Sequence, residues 1–313
     1  MNKKELSHAG RLLKNLLIII VLFFIVDRLL GLWLQHKFNT IPQGDIKTFA
    51  HSITDPSEDI FIYGSSRAMH GYDCSEFTKA LGFSCFNNGK ENSTILYHDL
   101  ILNEMLKKHI PKIIILDFAP KELSWGEFEN SRNVLANTIL PYAIHDTTFA
   151  NIAKQQFPQE YYKARLSWLY AYKSSLPSMI NAKNSGDEDI NGFRPLQGSK
   201  VKNTPMNYDD EEEQPDSSAE RAFDTFIKRI ADKHIKLYVI QSPIFVKQYA
   251  SSPSLDYAKS VLKKYNIPFW DYAFDTAIYK HEYFYDNIHL NQEGAKLFSE
   301  KVAERIKQDE NSN

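Results

Sequence analysis

Two short segments near opposite ends of the chain, Gly64-Ser65-Ser66-Arg67 and Asp286-Asn287-Ile288-His289, supply a serine, a histidine and an aspartate. A serine hydroxyl is a weak nucleophile at neutral pH. It becomes a useful one when a histidine takes its proton and a carboxylate holds that histidine in the right tautomer. The first segment follows Ile60-Phe61-Ile62-Tyr63, an apolar β-rich run, so Ser66 is expected where the carboxyl end of a strand turns into a helix. Open α/β sheets place their sites at that edge. Asp286 and His289 are spaced so that one tight turn presents both side chains to the same side. The amphipathic stretch from Gln292 to Lys307 supports that turn, with Asn291 as its N-cap.

On these segments the chain resembles the SGNH, or GDSL-like, hydrolase and acyltransferase superfamily, over about residues 59 to 308. The resemblance implies a three-layer α/β/α flavodoxin-like domain with a parallel sheet of about five strands. It also implies that Ser66 is the nucleophile, His289 the base and Asp286 its orienting partner. Asn87-Asn88-Gly89 resembles the family's second block, which implies that the N–H groups of Gly89 and Ser66 form the oxyanion hole. The third block, Gly-x-Asn-Asp, has no counterpart: Ile113 to Pro120 occupies its place and offers no asparagine. One missing oxyanion donor lowers a rate by roughly a hundredfold or more.

That departure, the Gly-Ser-Ser opening and an apolar N-terminal segment together resemble a membrane-anchored branch of the superfamily. This branch includes accessory proteins of teichoic-acid D-alanylation and alginate O-acetylation. It implies a cell-envelope serine esterase or O-acyltransferase acting on acyl, in particular acetyl, esters of a polysaccharide or glycopolymer. The alternative it implies is a weakly active or non-catalytic subunit that binds a membrane O-acyltransferase and its polymer. No cofactor and no metal is expected. A metal-dependent phosphoesterase would need several converging ligands at strand ends, and only Asp117, Asp271 and Asp286 qualify by position.

Around the serine, Ser65 competes as nucleophile, but the Gly-x-Ser alignment favours Ser66. Arg67 suits either an anionic substrate or an internal carboxylate such as Asp117. His70, one helical turn past Ser66, and Asn88 are the remaining candidates for substrate binding.

The elements that must position these groups are legible as runs. Strands are expected at Asp59 to Tyr63, Phe83 to Asn87, Lys112 to Asp117, Lys236 to Gln241 and Ile267 to Asp271, separated by helical patterns, which together predict a parallel sheet covered on both faces. Phe223, Phe226, Ile227 and Ile230, and then Leu255, Ala258, Leu262 and Tyr265, repeat at helical spacing and are expected to pack in the core. An insertion at about 121 to 218 is first aromatic and then polar, and contains the acidic run Asp209 to Glu213, expected as a solvated loop. Its rings suit either a small helical subcore or the wall of a site.

At 313 residues the chain is long enough for one such domain with an insertion or a membrane anchor. A net charge of -2 without a basic stripe argues against nucleic acid as a partner. The expected division is a cytoplasmic tail at 1–11, a transmembrane anchor at 12–34, a linker at 35–58, the catalytic domain at 59–308 and a tail at 309–313. Basic residues before the apolar run place the N-terminus in the cytoplasm and the catalytic domain outside it, periplasmic or extracellular. Asp27-Arg28 interrupts the run and suggests either snorkelling to the headgroups or contact with a polytopic partner. Cys74 and Cys85 are either paired or two buried thiols.

Overall fold

The computed structural model describes residues 3–181, 189–201, 204–207, 213–248 and 252–312. The chain divides into two compact units, one of residues 1–42 with 136–184 and one of residues 43–135 with 185–313. Helix α1 (Lys3–Asn39) opens the first unit. The second begins with α2 (Asp45–Thr54), β1 (Ile60–Tyr63), α3 (Ser66–Gly71), α4 (Cys74–Leu81), β2 (Cys85–Asn87), α5 (Ile95–Met105) and β3 (Ile113–Asp117). Helix α6 (Trp125–Ala143) starts in the second unit and ends in the first. There α7 (Thr147–Gln156), α8 (Pro158–Leu166), α9 (Trp168–Ala171) and α10 (Leu176–Asn181) follow. The second unit closes with α11 (Ser217–Asp232), β4 (Lys236–Gln241), α12 (Pro253–Lys264), β5 (Phe269–Asp271) and α13 (Gln292–Ser312).

The second unit is an α/β domain built on five parallel strands in the order β2-β1-β3-β4-β5. This is the flavodoxin-like order, in which the chain reverses direction across the sheet between β1 and β3. Alternate residues serve opposite faces. Ile60, Ile62, Ile115 and Ile240 join Phe77 of α4 and Phe298 and Val302 of α13 in one core. On the other face the Tyr63 ring meets Phe226 of α11 at 5.8 Å. With both faces covered, every residue of β1 and β3 is buried, which is why these strands read as unbroken apolar runs.

Three expectations are corrected. Residues 35–58 are not a linker: α1 runs on to Asn39, and α2 packs its Thr48, Phe49, Ser52 and Ile53 into the second unit. Of the domain expected at 59–308, residues 136–184 do not belong to the sheet's unit and cluster with α1. Tyr265 is not core; it ends α12 and is exposed, whereas the other seven stripe residues are buried.

Asp209 to Glu212 lie outside the described residues; Glu213 accepts from Ser252 Oγ at 2.8 Å and from the Ser254 N–H at 2.9 Å. Cys74 and Cys85 form a disulfide. Within α1, residues Gly10–Asn39 are long and apolar enough to cross a membrane.

Candidate active site

Everything at the site depends on the turn after β1. Gly64 has φ of 149°, and a Cβ there would lie 2.7 Å from Ala68 Cβ and 2.9 Å from Asp117 Cβ, so only glycine lets the chain reverse this tightly. Ser66 thereby becomes the first residue of α3, at the carboxyl edge of the sheet beside the β1–β3 switch. On the far side of the cleft, Asn291 caps α13 through Gly294 N–H at 3.0 Å and donates its own amide to Glu282 O at 2.7 Å. The preceding turn is fixed by Asp286 Oδ1, which accepts the N–H groups of Ile288 at 3.0 Å and His289 at 2.9 Å.

These two turns bring Ser66, His289 and Asp286 together. Ser66 Oγ is 2.7 Å from His289 Nε2, and His289 Nδ1 is 2.9 Å from Asp286 Oδ2. Half-burial works against ionisation of Asp286, yet the hydrogen bonds from the His289 ring and the two N–H groups hold its carboxyl below its ordinary value. An ionised Asp286 keeps the proton on Nδ1 and leaves Nε2 free to accept from the serine hydroxyl.

The other expected residues divide. Gly89 is not available as an oxyanion donor: its N–H is given to Asn87 Oδ1 at 2.8 Å, and it packs so closely on α3 that a Cβ would lie 2.3 Å from Met69 N. Asn88 is buried away from the cleft, where its N–H reaches Ile62 O at 2.7 Å and its side chain accepts from Ser52. Arg67 borders the cleft but its guanidinium faces inward, donating to Ser242 Oγ at 2.7 Å and lying 3.5 Å from Asp117. Asp117 in turn accepts from the Tyr72 hydroxyl and the Ser242 N–H, both at 3.0 Å, so the residue found in place of the family's third block ties β3 to α3 and β4. His70 stands edge-on to His289 with ring centroids 5.5 Å apart and its Nδ1 2.7 Å from Arg194 O.

Beside Ser66 opens a cavity of about 220 Å³ whose remaining walls come from residues 92–94 after β2, Ala119, Pro120, Glu122 and Glu127 after β3, and Ile244 and Ile288. Sequence reasoning missed its polar lining. Thr94 Oγ1 is buried and has no partner among the described residues. Glu122 is 4% exposed, and burial together with the nearby Glu127 and Asp117 carboxylates raises its carboxyl well above the ordinary range. Asn92, at φ 54°, is the local signal that was available, since asparagine tolerates the left-handed region better than most residues.

No protein-family model matches the chain, and no curated protein matches it. Among solved structures it is similar to one assigned as a platelet activating factor from Streptococcus pneumoniae, at 12% identity over 90% of this chain and 98% of that one, with a TM-score of 0.42. It is also similar to one assigned as an acylhydrolase from Bacteroides fragilis, at 10% identity over 84% and 95%, with a TM-score of 0.38.

Proposed function

We propose that the second unit is a serine-dependent ester hydrolase or acyltransferase. The observation that carries this reading is the relay from Ser66 Oγ through the His289 ring to Asp286, with both hydrogen bonds formed and a cavity opening at the serine. Ser66 Oγ attacks the ester carbonyl carbon while its proton passes to His289 Nε2. The tetrahedral intermediate collapses, His289 returns that proton to the departing alcohol, and an acyl-serine remains. Water or an acceptor hydroxyl then gives its proton to His289, attacks the acyl carbon and regenerates Ser66. Water yields hydrolysis, and a sugar hydroxyl yields transfer.

For the oxyanion, the open donors among the described residues include the Ser66 N–H, at the first position of α3 where no helical partner exists, and, in the cavity wall, the Asn92 side chain and the Thr94 hydroxyl. A cavity of about 220 Å³ suits a small acyl group such as acetyl. With α1 as an uncleaved anchor and the basic end inside, the domain faces the cell envelope, an oxidising setting consistent with the Cys74–Cys85 disulfide. Its substrate is then an acylated envelope glycan, and a polytopic O-acyltransferase is its natural neighbour.

Two observations favour a second reading, a weakly active or non-catalytic subunit of such an acyltransferase: the Gly89 N–H is occupied, and no asparagine stands between Ile113 and Pro120. Incubating the full-length detergent-solubilised protein with an activated phosphonate separates the two. Stoichiometric labelling that is lost in Ser66→Ala supports the enzyme. No labelling, with no acetate release from acetyl esters, supports the accessory role.

A further inference from the structure

The charged pair inside the apolar helix finds its partners in its own chain, within the unit of residues 1–42 and 136–184. Asp27 is 1% exposed and accepts from Ser167 Oγ at 2.5 Å and from the N–H groups of Trp168 at 2.9 Å and Leu169 at 3.5 Å. Arg28 donates to the carbonyls of Arg165 at 3.0 Å and Leu166 at 3.4 Å. These are the groups that a break between two helices leaves without helical partners: the last carbonyls of α8 and the first N–H groups of α9. In water the solvent would satisfy them. In hydrocarbon each one left bare costs several kcal/mol.

The close seat is built for this contact. Asp27, Gly31, Leu34 and Phe38 form the buried stripe of α1, and a Cβ at Gly31 would lie 2.6 Å from Trp168 Cβ. The rest of the helix at this level, Leu29, Leu30, Leu32 and Trp33, is exposed and apolar.

Depth follows from helix geometry. A hydrocarbon layer of ~30 Å takes about 20 residues at ~1.5 Å each, so a span counted from Leu12 ends near Gly31. Asp27 and Arg28 then lie roughly 6 Å inside the outer edge, and the α8–α9 break, bonded to them, lies at the same depth. On α8, Leu166 is 62% exposed, and Tyr162, one turn earlier, is 58% exposed.

We propose that the α8–α9 junction is inserted in the outer leaflet beside α1, with Leu166 and Tyr162 facing lipid acyl chains and the Asp27–Arg28 pair satisfying the backbone of the break. At this level Leu166 and Tyr162 of α8 are exposed, as are Leu29, Leu30, Leu32 and Trp33 of α1, with Lys163 and Arg165 of α8 exposed beside them; lipid, with its acyl chains and charged headgroups, is the occupant common to both helices. The inference rests on α1 spanning the bilayer. It gives the chain a second membrane contact and takes the place of both alternatives read for Asp27-Arg28, snorkelling to the headgroups and contact with a polytopic partner.

The test uses full-length protein in phosphatidylcholine–phosphatidylglycerol proteoliposomes, with the Cys74–Cys85 disulfide kept oxidised. Nitroxide labels are placed singly at Leu166→Cys, at Leu22→Cys as a mid-span reference and at Lys228→Cys as an aqueous reference, and their collisions with oxygen and with a water-soluble nickel chelate are compared. Position 166 is expected to fall between the two references, below the mid-span ratio at 22 but with an oxygen-to-nickel ratio several-fold above that at 228. If 166 instead matches 228 while 22 stays in lipid, the junction is in water and the proposal fails although the span stands. If 22 and 166 are both aqueous, the spanning reading fails and the proposal with it. If neither reagent reaches 166, protein covers it, and the proposal is overturned in favour of a partner or a second copy.

Discussion

Gly89 gives its N–H to the Asn87 side chain at 2.8 Å, and the amide of that same side chain donates to Ala68 O at 2.8 Å and Tyr72 O at 2.9 Å. One buried asparagine thus ties the loop after β2 to the middle and the C-cap of α3, the helix that carries Ser66. The close approach of Gly89 to Met69 is part of the same joint. Gly89→Ala must push the two backbones apart and is expected to destabilise the domain by about 1–3 kcal/mol. Asn87→Ala strands three buried backbone groups, each worth about 1–3 kcal/mol, and is expected to be the more damaging change. Denaturant midpoints of the two variants decide the order.

The relay from Ser66 to Asp286 has a graded signature. On the proposed reaction, Ser66→Ala is expected to abolish phosphonate labelling, and His289→Gln, which removes the proton acceptor, is expected to lower ester turnover by at least a thousandfold. Asp286→Asn leaves the geometry in place but favours the wrong tautomer, with an expected loss of roughly 10⁴ in kcat. Turnover that survives Asp286→Asn within tenfold would show that the carboxylate does not orient His289 during the reaction.

His98 is buried between the rings of Tyr63 and Tyr97, and burial lowers its pKa from 6.5 to about 3. Below about pH 6.5 the unfolded chain takes up a proton that the folded chain refuses, so stability falls as pH drops from 6.5 toward 3. For one such proton the slope is about 1.4 kcal/mol per pH unit. His98→Phe is expected to flatten the stability curve in that window, as measured by urea unfolding between pH 4 and 7, and a slope that is unchanged would mean that other groups carry the acid sensitivity.

Glu122 works in the opposite direction. Burial, then Glu127 and Asp117, raise its pKa well above 4.5, so above that pH the unfolded chain releases a proton that the folded chain retains, and stability falls as pH rises. Glu122→Gln removes that penalty. The variant is expected to gain stability over the parent protein at pH 7 and to gain little near pH 4, and equal gains at both values would rule out the titration as the cause.

What the sequence determined by itself is local. Four consecutive apolar residues before Gly64, the three-residue step from Asp286 to His289 and the cap at Asn291 are short-range signals, and each is found where its spacing placed it. Helix α2 was also within reach, since Ile46, Phe49 and Ile53 fall on one face, but two turn-forming clusters beside it concealed the pattern.

Tertiary structure decided everything that joins distant segments. Ser66 and His289 are 223 positions apart, and their contact exists because the strand order sets the end of β1 near the turn that precedes α13. The same holds for the N–H of Gly89, which a family motif offered to the substrate and which the fold gives to Asn87. It holds again for Asp27, whose partners lie 140 residues and more along the chain. Residue types announce which groups need partners. Periodicity reaches only a few turns, so the choice of partner is made by strand order and by the packing of helices against one another.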